Sequence, residues 1–183
     1  MKIRLAAELQ PDSIVDGEGI RTVIWTQGCP HGCKGCHNPS THDFDGGALV
    51  DVEEIIEELK QLKGQDGITL SGGDPVCQSG ACIEICKAAH ELGMNVWCYT
   101  GFTYETMLRN PKHKSLLEHI DILVDGKFIL EEKSYDLYFR GSKNQRIIDV
   151  KRSLEEERVV LVEKYIEEKN YNSSYKKPEY MFI

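Results

Sequence analysis

With 183 residues the chain suits one domain built around a single core. Its 22 Lys and Arg against 30 Asp and Glu leave a net charge of -8, which argues against bulk attraction to nucleic acid or anionic lipid. No run of about eighteen apolar residues and no basic-then-apolar leader occurs, so neither a membrane span nor a secretory signal is expected; seven cysteines, an odd number, then suggest reduced thiols in a cytoplasmic protein rather than a disulfide framework.

In chain order, Ile3-Arg4-Leu5-Ala6 predicts a short first strand, and Asp16-Gly17-Glu18-Gly19-Ile20-Arg21 sets two glycines in a turn before an apolar strand over 22–26. A helix over 51–62 follows from apolar residues at 52, 55, 56, 59 and 62, with acids in its first turns favouring the helix dipole. A strand over 68–70 leads into Ser71-Gly72-Gly73-Asp74-Pro75. The next helix, over 80–92, puts Cys82, Ile85, Cys86 and Ala89 on one face and ends at Gly93. Cys82 and Cys86 could join Cys77 in a second metal set, but their spacing is that of a core stripe. A strand over 94–99 stops at Thr100-Gly101. Helix over 102–119 is broken near Asn110-Pro111, with His113 and His119 expected at the surface. A strand over 120–124 runs into Asp125-Gly126-Lys127-Phe128, and 135–150 is polar at first and strand-like later. Val159-Val160-Leu161-Val162 suggests a last strand or helical turn, and a flexible end is expected beyond Asn170.

The stretch Gly28-Cys29-Pro30-His31-Gly32-Cys33-Lys34-Gly35-Cys36-His37-Asn38 carries the clearest chemistry. Three cysteines at Cys-x3-Cys-x2-Cys follow a strand directly, and glycines at 28, 32 and 35 let so short a loop turn its sulfurs inward. Structural zinc closes its tetrahedron with four protein ligands, and a cubane iron-sulfur cluster normally takes four thiolates. Three thiolates on a cluster leave one iron open; a zinc knuckle completed by His31 or His37 is the competing reading. At the second strand end, Gly72 and Gly73 strip away side chains so that a ligand can approach the backbone, and Asp74 sets a carboxylate beside them. Thr100 stands where the third strand stops. Asp125 and Lys127, two apart at the fourth, either serve a ligand or form a surface ion pair. Strands alternating with helices, each motif at a strand's end, describe an α/β fold, an incomplete (β/α) barrel with a mostly parallel sheet.

The triad and the Gly-Gly-acid-Pro segment resemble the radical S-adenosylmethionine (SAM) superfamily. Adding Asp16-Gly17-Glu18-Gly19-Ile20-Arg21, Asp125-Gly126-Lys127-Phe128 and Arg140-Gly141-Ser142-Lys143-Asn144-Gln145-Arg146, the chain is similar over 1–162 to the activating enzymes of anaerobic (class III) ribonucleotide reductase, with 163–183 as a C-terminal extension. The resemblance implies a 4Fe-4S cluster on Cys29, Cys33 and Cys36, and SAM bound near Gly35, Cys36, His37, Gly72, Gly73, Asp74, Thr100, Asp125 and Lys127. Asp74 would hold its amino group, Gly35 and His37 would lie along the adenine, and Asp125 and Lys127 would meet the ribose or carboxylate. It further implies reductive cleavage of SAM, an electron donor such as flavodoxin or ferredoxin, and a glycyl radical formed on the reductase, with no side-chain acid or base required. Arg140 and Arg146 could meet the partner or SAM's carboxylate. Activation of a different glycyl radical enzyme, radical SAM chemistry on a small molecule, and a zinc-binding module are the alternatives.

Overall fold

The structure, a computed structural model, describes residues 1–166. Eight strands form one open sheet: β1 (Lys2–Leu5), β2 (Gln10–Ser13), β3 (Arg21–Thr26), β4 (Ala48–Asp51), β5 (Gly67–Gly72), β6 (Asn95–Tyr99), β7 (Ile122–Asp125) and β8 (Arg146–Asp149). The order is β4-β1-β3-β5-β6-β7-β8, with β2 paired to β3. The centre, β3-β5-β6-β7, is parallel, and the outer strands run antiparallel. The two outer strands of this order do not pair, so the incomplete barrel expected from the sequence is what forms.

Helices α1 (Val52–Gln61), α2 (Ser79–Glu91), α3 (Tyr104–Arg109), α4 (Pro111–Leu117) and α5 (Val150–Glu155) complete the fold. The interruption expected at Asn110-Pro111 divides one helical stretch into α3 and α4. Proline cannot donate to the ladder, and the Asn110 side chain accepts instead from Lys112 N at 3.0 Å, capping the second helix. Period-two alternation sorts the strands. Val96, Cys98, Leu123 and Ile148 face the helices in the main core, while Trp97, Val124 and Ile147 face the other side, where Tyr165 covers them. Each fully buried Leu or Ile of that core contributes about 1.5–3 kcal/mol. Cys82 and Cys86 sit in the same core, fully buried.

Several expectations are corrected. Strands β2 and β4 were not signalled, because Gln10–Ser13 is polar and Ala48–Asp51 is held at the edge by its register with β1 rather than by burial. His113 is half-buried against Phe102, ring centroids 5.2 Å apart, rather than exposed, and His119 is half-buried too. Leu161 contributes only a bridge to Ile148. The flexible end expected beyond Asn170, and all but the first four residues of the proposed extension, lie outside the described residues. Among the described residues no helix is long and apolar enough to cross a membrane.

Because β8 runs antiparallel to β7, Asp125 pairs with Arg146. The start of β8 therefore comes to the rim where β3, β5, β6 and β7 end, and brings the segment before it to the same edge.

Candidate active site

The cysteine loop leaves the end of β3 and is tied down on several sides. Gly28 N donates to Thr41 O at 2.8 Å and Cys29 N to His42 O at 3.2 Å. The Gln27 amide donates to Ser40 O and Asp43 O, while the Gln78 amide donates to Gln27 O. Beside the loop, Gly73 N donates to Thr26 O at 2.7 Å and Asp74 N to Gly28 O at 2.8 Å. This contact sets the glycine requirement at β5's end: a Cβ on Gly73 would lie 2.4 Å from Gly28 O, and one on Gly72 would lie 2.5 Å from Thr26 O. Gly72 also has φ of 102°, in the region that favours glycine.

Cys29, Cys33 and Cys36 are all half-buried free thiols lining one cavity of about 150 Å³, with Gly72, Gly73, Thr100, Gly101, His37 and Phe128 among its other walls. Asn38 N donates to Cys36 Sγ at 3.4 Å. Burial holds the Cys29 thiol above the usual range, and Asp74 and the other two cysteines push the same way, so a metal binding there must expel its proton. Three thiols of one loop sharing one cavity are a donor set that fits an iron-sulfur cluster.

The cavity opens into a larger one of about 500 Å³ on the face opposite the helices. The two share His37, Asn38, Ser71, Tyr99, Phe128 and Gln145.

Beyond the triad, the expected residues divide. Gly35, with φ of 73°, packs under Leu130, and His37 lies 4.9 Å from the Phe128 ring. Asp74 is completely buried, accepting from Val76 N, Thr100 Oγ1, Gly101 N and His31 Nε2. Asp125 is buried as well, and its oxygens accept from Tyr104 N and from Arg146. Lys127 is exposed and lines another cavity, of about 650 Å³, with Asp125, Arg146 and His31; this cavity shares His31, Gly101 and Gly126 with the sulfur-lined one. Arg140, whose guanidinium donates to Gln145 O, lines the 500 Å³ cavity.

A family model for a 4Fe-4S single cluster domain matches residues 15–148. The anaerobic ribonucleoside-triphosphate reductase-activating protein of Haemophilus influenzae is 35% identical over 147 residues, covering 75% of this chain and 92% of that one. The chain belongs to this family of activating proteins. Its Escherichia coli K12 member is 34% identical over 144 residues, with 74% and 92% covered, and the one from Enterobacteria phage T4 is 31% identical over 146, with 76% and 90% covered. The crystal structure of QueE from Escherichia coli superposes with a TM-score of 0.47 at 16% identity, over 56% of this chain and 54% of that one.

The Asp-Gly-x-Gly-x-Arg segment, residues 16–21, is built around a buried charge. Arg21 is fully buried, donating from Nε to Thr69 Oγ1 at 2.7 Å, from Nη1 to Glu18 O at 2.9 Å and from Nη2 to Ile68 O and Asn95 O. It stacks 5.5 Å from the Trp97 ring centre, and a Cβ on Gly17 would strike that ring at 2.8 Å. Gly101, Phe102 and Gln145 were not foreseen as part of the site. The small residue after Thr100 was the available signal for Gly101, and the Asn-Gln-Arg run was the signal for Gln145, whose amide bridges Gly126 O to the backbone N–H of Gly141 and Ser142.

Arg146 also meets Glu105 through two nitrogens, at 3.0 and 2.8 Å, and holds that carboxyl down to about 2. A carboxylate held below its ordinary pKa of about 4.3 adds stability above that value and loses it as pH falls towards 2. In acid titrations followed by circular dichroism, Glu105→Gln should therefore flatten the stability loss below about pH 4.3. The effect should be small, because Glu105 is about half exposed.

Proposed function

We propose that this chain activates an anaerobic ribonucleotide reductase by reductive cleavage of SAM, leaving a glycyl radical on its partner. Membership of the activating-protein family supports the partner, and the shared cavity of Cys29, Cys33 and Cys36 carries the chemistry. Cys29, Cys33 and Cys36 would hold a 4Fe-4S cluster, which would supply the electron for reductive cleavage of SAM.

The residues of the chain bind, orient and exclude water. The three thiols of Cys29, Cys33 and Cys36 line one cavity and would serve as the cluster's protein ligands. Gly72, Gly73 and Thr100 form cavity wall without bulky side chains, so SAM's methionine part can approach the backbone. Gly35 and His37 flank the last sulfur, with Phe128 closing the side towards the larger cavity. Lys127, at the end of β7, is a cation for SAM's carboxylate. The larger cavity, about 500 Å³ and sharing six wall residues with the sulfur-lined one, is the place for a peptide segment of the partner. A low-potential donor such as flavodoxin or ferredoxin supplies the electron, residues 1–162 form the activase body, and the protein works in the cytoplasm.

The test is anaerobic incubation with SAM, a strong reductant and the reductase, reading 5'-deoxyadenosine by chromatography and the glycyl radical by electron paramagnetic resonance. Both should appear together. Product without a glycyl signal would move the substrate from a protein to a small molecule and overturn the proposal.

A further inference from the structure

Family resemblance assigns Asp74 to the ammonium group of SAM, yet its carboxylate is already filled. Thr100 Oγ1 reaches both oxygens at 2.9 Å, Val76 N donates at 3.0 Å, Gly101 N at 3.0 Å, and His31 Nε2 stands 2.6 Å away. An ionised carboxylate has about four lone-pair sites, and these four groups occupy them. Asp74 is 0% exposed and absent from the cavity wall that the three sulfurs share, whereas His31 is part of that wall.

These donors come from three places. His31 belongs to the cysteine loop, two residues after Cys29; Val76 follows β5; Thr100 and Gly101 follow β6. The His31 side chain is 7% exposed despite its place in a loop. Its ring is edge-on to Phe102, with centroids 4.6 Å apart, and fits against Gly101, where a Cβ would lie 2.3 Å from its Cδ2. A side chain at 101 would evict it.

The donor atoms of Cys29, His31 and Asp74 lie within 4.8 Å of one another, which raises the possibility of a single-metal site. The 2.6 Å contact decides against that. Two ligands on a tetrahedral zinc, each about 2.0–2.1 Å from the metal, would stand about 3.3 Å apart. At 2.6 Å the ring and the carboxylate share a short hydrogen bond instead.

We infer that His31 and Asp74 are positioning residues for the three-thiolate seat: the buried carboxylate fixes His31, and His31 fixes the first half of the cysteine loop against the ends of β5 and β6. The inference rests on the cluster reading of the triad and adds a loop-to-sheet clamp to it. Partners that orient metal ligands change retention of the metal without touching it.

The test uses the full chain, reconstituted anaerobically with iron and sulfide, as wild type, His31→Leu, His31→Gln, Asp74→Ala and the double variant His31→Leu/Asp74→Ala. Iron loss to excess chelator is followed by visible absorbance, and SAM affinity is measured separately on loaded protein by equilibrium binding. His31→Leu and Asp74→Ala should each lose iron about 10- to 100-fold faster than wild type. The double variant should be no faster than the worse single one, since both remove the same contact. His31→Gln keeps an N–H donor and should recover most of the retention. Wild-type rates in both single variants, with SAM affinity lost only in Asp74→Ala, would return Asp74 to the ammonium and overturn the clamp. Additive rates in the double variant would overturn it too. A wild type that takes up no iron and sulfide would instead fail the cluster reading and the clamp with it.

Discussion

Alanine at Cys29, Cys33 or Cys36, one at a time, is expected to bring iron and acid-labile sulfide in anaerobically reconstituted protein to background and to abolish 5'-deoxyadenosine formation. The reason is coordination number. A cubane normally takes four thiolates, and this loop offers three, each lining the same cavity. Removing one leaves two sulfurs, too few to hold four irons against chelation. Alanine at Cys82, Cys86 or Cys98 should leave the iron content unchanged, because these thiols are fully buried in the hydrophobic core on the helix side of the sheet. Metal analysis and visible absorbance check both halves. Iron retained by a Cys33→Ala protein but lost from Cys82→Ala would relocate the seat.

A second large effect is expected far from the sulfurs. Arg21→Met should destabilise the cluster-free protein by about 3 kcal/mol or more, because it takes the donor from two buried acceptors, the Ile68 carbonyl and Thr69 Oγ1, at about 1–3 kcal/mol each, and removes part-buried hydrogen bonds to the carbonyls of Glu18 and Asn95, worth about 0.5–1.5 kcal/mol each. Set against the usual 5–15 kcal/mol for a domain, that is a severe loss. Burial lowers the guanidinium to about 10, so it remains charged at neutral pH and its hydrogen bonds are charge-assisted. Arg21→Lys should not rescue it, since an ammonium cannot span carbonyls on two strands and a loop at once. Urea midpoints measure both variants, and a shift worth less than about 1 kcal/mol, a single ordinary hydrogen bond, would show that the buried charge is dispensable.

The parallel centre of the sheet and the cysteine loop were legible because they write themselves locally: apolar runs stop at glycines, and three sulfurs crowd into eight positions. Strands β2 and β4 were not, because their place comes from long-range pairing with β3 and β1 and leaves little apolar pattern behind. Within the site, residue type could mark Asp74 and Asp125 as carboxylates at strand ends. It could not show that Asp125 is taken up by Arg146, 21 positions later, or that His31 reaches Asp74 across 43. Likewise, Gly72 and Gly73 read as room for a ligand, and they do line the sulfur cavity, but residue type could not show that a methyl there would also meet the backbone of Thr26 and Gly28.

That interlock has a consequence for how such a chain can vary. Thr26 and Gly28 each accept from the neighbouring strand's end, at Gly73 and Asp74, so the thiol-bearing turn begins inside the sheet's own stitching. An insertion or deletion of one residue at either side would slip the two segments past each other and drag the first sulfur with them.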